Sequence, residues 1–441
     1  MKMFRGFGKF GGAAVFVAVV LCCRLVGAGE VYDVCVVGGG TAGVPAAICA
    51  GKVGAKVLLV EQGSQVGGTM TVGGVNWPGL FHAWGRQVIA GPGWDLCTNA
   101  VLMAGGALPD FLRACGWKHW EHQVRVPVPL YVALAEEALR AAGVEILYYT
   151  APIGVKRIGD EWEMRLAALG KEKVIRARQI IDATGSASVA AMMGAKRVKE
   201  EERQPGSYAY HLDLGCDVNG LDFGALESAA EKAKAAGELK EGDYRISIEH
   251  YLRALGDVYN YVKGADGSSA EGRSAANLEG RAGMLRMVRF LRKQAGLEKV
   301  KVVSMAGECG VRETYRVVAE TMVSEEDYVS GRVFEDAVAY AFYPVDLHSG
   351  KGVEPRQLAE GVVATIPLSA MRPKGVEDVY VVGRAIGSDR AANSGLRVQA
   401  ACMAMGQAAG VAAGMAAKEG KVDLGKVRTT LRGLGAIVPG R

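Results

Sequence analysis

Apolar positions along this chain fall into two rhythms. Near the start they form short runs bounded by glycine. Tyr32–Val37 is one such run, Lys56–Val60 is a second, and both predict strands buried on two faces. Between them, Ala46, Ala47 and Ala50 predict a helix. Leu130, Leu134, Ala138 and Leu139 recur on one helical face, predicting a helix over 130–142 stopped by Gly143. Val144–Tyr149 then predicts a strand. Three short β pieces follow, at 155–158, 162–166 and 174–177, with turns at Gly159-Asp160 and Leu169-Gly170. Gln179–Asp182 predicts a further strand closing on Ala183-Thr184-Gly185. From about 200 to 360 the pattern changes to charged helical stretches, such as 223–236 and 284–294, alternating with aromatic-rich segments. Val379–Val382 predicts a last strand, and a long Ala/Met-rich helix over 396–417 follows Asn393-Ser394-Gly395. The order implies an α/β fold: a parallel sheet, a β-meander crossover and an inserted α+β domain.

The first strand–helix–strand unit carries chemistry. Gly38-Gly39-Gly40-Thr41-Ala42-Gly43 fits G-x-G-x-x-G directly after a strand and before a helix. Gly38 suits the tight turn, Gly40 the approach of a pyrophosphate, and Gly43 the close packing of helix on strand. Glu61 ends the second strand, 23 residues after Gly38, where a carboxylate accepts from a ribose 2′-hydroxyl. An acid there disfavours a 2′-phosphate, so FAD or NAD is expected rather than NADP.

Residues 1–28 change the picture of charge. Lys2, Arg5 and Lys9 precede a 13-residue apolar run, Gly11–Cys23, and Val26-Gly27-Ala28 suits a signal peptidase. We therefore expect an exported protein, periplasmic or extracellular, with no membrane span once the leader is removed; an intact Met1 on native protein would contradict this. The leader holds four of the 52 Lys and Arg and none of the 47 Asp and Glu, so the remainder is close to neutral. Nothing in that balance points to nucleic acid. Seven cysteines remain, without C-x-x-C spacing, and read as small buried side chains rather than disulfides or cluster ligands. His119 and His122 lack further ligands nearby and read as loop histidines, so no metal site is expected.

Together these blocks resemble the FAD-dependent oxidoreductases of the glutathione reductase-like fold, and among them the branch related to the flavin subunit of heterodisulfide reductases. The carrying residues are 33–43, Gly67-Gly68-Thr69, Asp182–Gly185, Gly310–Thr314, Gly383-Arg384 and Arg397-Val398-Gln399. The resemblance implies FAD as cofactor, with Gly38, Gly40, Thr41, Ala42 and Gly43 at the pyrophosphate and Glu61 at the adenosine ribose. Gly67, Gly68 and Thr69 would line the path to the isoalloxazine, Thr184 and Gly185 the ADP half, and Gly383 and Arg384 the ribityl region. The helix starting near Arg397 would aim its N-terminus at the flavin, with Ser394 as its cap and Arg397 in its first turn. The FAD-binding domain would comprise 29–80, 125–200 and 361–441, with 81–124 a loop region over the flavin and 201–360 the substrate domain. Ser186-Ala187-Ser188 and Tyr315 depart from that branch, which leaves the substrate open.

For catalysis, His82 lies on the stretch expected over the flavin and could serve as acid or base. Arg312 and Arg316 could clamp a substrate carboxylate, or could form a structural pair with Glu313. The function expected is hydride transfer between a small molecule and the flavin, with an unidentified electron acceptor. The alternatives are an NAD-dependent dehydrogenase and a non-catalytic flavin carrier.

Overall fold

Strand β1 (Val31–Val37) is apolar at both alternating sets of positions, so it needs cover on both sides. Val34 and Val36 enter one hydrophobic cluster, while Cys35 and Val37 enter another on the opposite face. The computed structural model describes residues 30–440 except 114–117, 255, 256, 350, 351 and 354; the expected leader, 1–28, lies outside the described residues. The protein has an α/β fold with a mixed sheet. Helix α1 (Gly43–Lys52) follows β1, and β2 (Val57–Val60) pairs parallel with β1, setting Cys35 opposite Leu58. Helices α2 (Pro92–Met103) and α3 (Val128–Ala141) come next, and β3 (Glu145–Leu147) extends the parallel sheet beyond β2.

The meander is β4 (Thr150–Ile158), β5 (Glu161–Ala168) and β6 (Lys171–Asp182), joined antiparallel. The two strands expected at 174–177 and 179–182 are one 12-residue strand, β6, which pairs parallel with β1 along most of its length. On its other side β6 changes partner. Residues 171–177 pair with β5, and Ile180–Asp182 pair parallel with Val379–Val381.

A second sheet lies within the region where the pattern changed. Its central strand, β7 (Gly206–Asp213), is flanked antiparallel by β8 (Asp257–Val262) and β9 (Lys301–Met305). Helices α4 (Phe223–Ala235) and α5 (Ala270–Leu291) share a separate hydrophobic cluster with it. The aromatic side chains Tyr208, Tyr210 and Tyr251 supply much of that core.

The chain then returns to the main sheet through Val379–Val381, here β10, followed by α6 (Arg390–Leu396) and α7 (Gln399–Glu419). The expected single start near Arg397 is replaced by two helices. Asp389 caps α6 by accepting from the Ala392 N–H, and extended Val398 breaks the chain before α7. Arg397 therefore closes α6 rather than opening the long helix. Ser394 is inside α6, donating to the Ala391 carbonyl. Helix α7 is long and apolar enough to cross a membrane, but most of it is buried inside the protein. The region 81–124 is not a loop throughout, since α2 occupies twelve of its residues, opened by Pro92 at a position that spares the missing N–H.

Candidate functional site

The turn after β1 is built by close backbone approaches. Gly38 has φ +103°, and a Cβ there would lie 2.5 Å from the Ala183 carbonyl oxygen. A Cβ on Gly43 would lie 1.8 Å from the Gly38 carbonyl oxygen, so α1 starts hard against the turn. At Gly40, by contrast, an added Cβ would meet nothing within 4 Å, so this backbone faces open space. The first turn of α1 carries no acid, which leaves its positive end available to an anion. Glu61 accepts from the Gly39 N–H and the Gly63 N–H, both at 2.7 Å, and so ties the end of β2 to the glycine turn.

The other positions expected at the cofactor converge here from distant sequence. Gly67 donates its N–H to the Gly39 carbonyl at 2.7 Å, and Thr69 follows it in a short helical turn. Asp182, fully buried, accepts from the Thr184 hydroxyl at 2.6 Å and from the Ala190 N–H at 2.9 Å. Arg384 joins three separate segments. Its guanidinium donates to the carbonyls of Gly185 (2.8 Å) and Val311 (2.9 Å) and reaches the Thr69 hydroxyl at 3.5 Å. Burial lowers its pKa to about 10, yet the side chain keeps solvent-accessible surface and makes no ion pair among the described residues. A deep cation that is neither paired nor fully packed faces an internal space suited to an anion.

A second group of side chains adjoins this cradle through Val311. The next residue, Arg312, donates to the Pro205 carbonyl and lies 5.1 Å from the centre of the Tyr261 ring. Tyr261 Oη is 3.1 Å from His348 Nδ1, and His348 Nε2 is 3.0 Å from Asp346 Oδ2. Burial pushes the Asp346 carboxyl up, but the His348 hydrogen bond and the charges of Arg397 and Arg312 outweigh it and hold the pKa at about 2. Burial is also the largest influence on His348 and lowers it to about 4 against the opposing bond to Asp346. At neutral pH the pair is thus an ionised Asp346 and a neutral His348. Nε2–H then donates to the carboxylate, and Nδ1 accepts from Tyr261.

Arg397 joins the same group, donating to Gln204 Oε1 and to the Asp346 carbonyl, both at 3.2 Å. Arg316 does not join it. It is buried, with Nε on the Ser388 carbonyl (3.0 Å) and Nη2 on Glu200 (2.6 Å), and it pins a two-stranded pairing with Arg197–Val198. Glu313 pairs with Arg390 rather than with either expected arginine. Sequence analysis missed Tyr261, Asp346 and His348. Their one local signal was Asp-x-His, a spacing that puts both side chains on one face of an extended segment.

The model of a family described as FAD dependent oxidoreductase matches residues 33–431. The chain belongs to the FAD-dependent oxidoreductase family. It is an enzyme, and FAD is its cofactor. A similar curated relative is the digeranylgeranylglycerophospholipid reductase of Methanocaldococcus jannaschii, 28% identical over 174 residues. That match covers 39% of this chain and 42% of the relative, so the chain spans less than half the length of the relative it matches. Among solved structures, a geranylgeranyl bacteriochlorophyll reductase-like protein from Thermoplasma acidophilum is similar at 13% identity and a TM-score of 0.44, covering 92% of this chain and 83% of that one. The p-nitrophenol 4-monooxygenase of Pseudomonas putida is similar at 12% identity and a TM-score of 0.45, covering 91% and 83%.

In this FAD-dependent oxidoreductase, His82 sits in an aromatic box. Its ring stacks on Phe111 at 4.0 Å and meets Trp94 edge-on at 5.3 Å, and its Nδ1 is buried without a partner. Burial first, then the neighbouring His122, lowers its pKa from 6.5 to about 4. It is therefore neutral near pH 7 and does not switch there. The same depression at His82 and His348 has a consequence for stability. The unfolded chain takes up these protons as pH falls through about 6.5, the folded chain only near 4, so folding weakens across that window on acidification. Thermal melts should fall from pH 6.5 to 4, and His82→Phe should flatten the slope. An unchanged slope would mean that other groups carry the acid sensitivity.

Proposed function

We propose that this protein transfers hydride between a small-molecule substrate and FAD, on a glutathione reductase-like framework. In this reading the FAD-binding part is 29–80, 125–200 and 361–441, and 201–360 supplies the substrate side. The observation that carries it is the adjacency at 311–312: the Val311 carbonyl takes Arg384 of the glycine cradle, while Arg312 covers Tyr261 in the second group. In this reading cofactor and substrate groups share one segment.

The residues present fit FAD. The open space at Gly40, the N-terminus of α1 and unpaired Arg384 would hold the pyrophosphate, and Glu61 retains lone pairs for the ribose. Thr41, Ala42, Gly67, Gly68, Thr69, Thr184, Gly185 and Gly383 complete the wall. Bound FAD supplies the hydride acceptor or donor. The chain's own task is orientation and proton handling. We assign the acid–base role expected of His82 to Tyr261, whose Oη carries a proton it can give to substrate and is oriented by its hydrogen bond to His348 Nδ1. Asp346 fixes the ring of His348 and its tautomer. Arg312 and Arg397 orient the substrate.

Anaerobic mixing of the holoprotein with candidate reductants tests the redox reading, through bleaching of the flavin absorbance. Arg312→Lys keeps the charge but loses the planar fork. It should lower the rate of flavin reduction by substrate about tenfold or more while leaving the oxidised spectrum unchanged. Loss of the flavin spectrum in that variant would place Arg312 in the cofactor cradle instead.

A further inference from the structure

Two guanidiniums lie over Tyr261 and a third reaches the same group through Asp346, none with a carboxylate of its own. Arg312 lies 5.1 Å from the ring centre and Arg245 lies 5.8 Å from it. Arg397 approaches from the end of α6 and binds the backbone carbonyl of Asp346, not its carboxylate. None of the three makes an ion pair among the described residues.

The neighbouring acids are all committed elsewhere. Asp346 is turned to His348, and both are almost enclosed, with 13% and 9% of the side chain exposed. Glu313 is held by Arg390 at 2.7 Å and by Gln204 at 2.9 Å. Asp266 is held by Arg203 at 3.0 Å. Three guanidiniums thus face the single ionised carboxylate of Asp346, which leaves positive charge in excess in a partly enclosed place, where an uncompensated ion is unfavourable.

The donors are also unspent. Arg245 uses Nη1 on the Tyr259 hydroxyl (2.7 Å), Arg312 uses Nη1 on the Pro205 carbonyl, and Arg397 uses Nη2. Arg397 Nε is buried without any partner. A guanidinium carries five N–H donors in a planar fork that matches the two oxygens of a carboxylate. The cradle around Gly40 has its own cation in Arg384, so this second set is not needed for the cofactor's phosphates.

We propose that Arg245, Arg312 and Arg397 form a carboxylate-binding site, so that the substrate is a carboxylic acid in its ionised form. This rests on the assignment of the cluster to the substrate side. His348 is a positioning residue in the arrangement. Its Nε2–H holds the Asp346 carboxylate, so this acid makes no direct ion pair with the arginines and their N–H donors stay free for substrate.

The test uses FAD-loaded protein titrated with acetate, succinate and benzoate, each beside its neutral amide, and with inorganic phosphate. Calorimetry and the visible flavin spectrum are the readouts. At least one carboxylate should bind while its amide does not. Arg245→Gln and Arg312→Gln should each weaken that binding about tenfold or more, with FAD content and melting temperature kept. His348→Gln should weaken it too, and in the double variant with Asp346→Asn the affinity should return. Amides that bind as well as acids, phosphate binding in place of carboxylates, or no binding by any of the three acids would each overturn the proposal. So would loss of FAD from Arg312→Gln, since the arginines would then serve the cofactor. A carboxylate that binds but never alters the rate of flavin reduction would leave the anion site standing and remove the redox role of the cluster.

Discussion

Glu61→Arg is expected to leave the protein without bound FAD. The carboxylate accepts two backbone N–H groups at 2.7 Å, from Gly39 in the cradle and Gly63 beyond β2. Hydrogen bonds to a charged group contribute about 1.5–3 kcal/mol each. Arginine removes both and offers only donors where the two N–H groups and the ribose hydroxyls need an acceptor. It also sets a cation beside the positive end of α1. Glu61→Gln keeps one acceptor oxygen and should retain part of the FAD. The ratio of flavin to protein absorbance after purification measures this directly, and an arginine variant with full flavin would remove Glu61 from the cofactor site.

Gly410→Leu should cost the fold about 3 kcal/mol or more, the upper end for overpacked interiors. Helix α7 lies so close to α1 that a Cβ at Gly406 would be 2.0 Å from the Ala42 carbonyl oxygen, and at Gly410 2.2 Å from that of Ala46. Backbone on both sides leaves nothing to move aside, so the helices must separate. At Gly414 the nearest atom is Val53 Cγ2, a side-chain methyl, at 2.4 Å. Alanine there should therefore be milder than Gly410→Ala, since alanine also returns about 1 kcal/mol of helix propensity at either position. Melting temperatures of the two alanine variants give the comparison. Equal losses would show that the contact with the Ala46 carbonyl is not what limits the packing. Because Ala42 follows the glycine turn, Gly410→Leu should also loosen FAD.

Local chemistry made the cofactor half of this protein legible. A strand that must be buried on both faces, glycines at the turn, and an acid at the end of the next strand all act over a few tens of residues. Short-range sterics decide such features: Gly38 and Gly43 make the close backbone approaches that exclude a side chain, and Glu61 reaches back to the Gly39 N–H. The meander was also visible, because Gly159-Asp160 and Leu169-Gly170 punctuate alternating strands. The split of the last helix was less so. Residues 390–419 are helix-forming almost throughout, and only the extended backbone at Val398 separates α6 from α7.

The proposed substrate side depended on tertiary structure. Arg312 and Arg316 are four apart in sequence, and both were candidates for the same role. Arg316 was drawn to Ser388 and Glu200, while Arg312 was drawn to Pro205 and Tyr261. No local pattern separates them, because a guanidinium's partner is set by which distant chain passes within about 3 Å of it. Tyr261, Asp346 and His348 come from β8 and from a segment more than eighty residues later, and their hydrogen bonds exist only once those are packed together. The sequence by itself thus determined the glycine turn and its acid, Glu61, which lie within one strand–helix–strand unit. Only the tertiary structure decided which charges remain unpaired, because pairing is a property of positions in space.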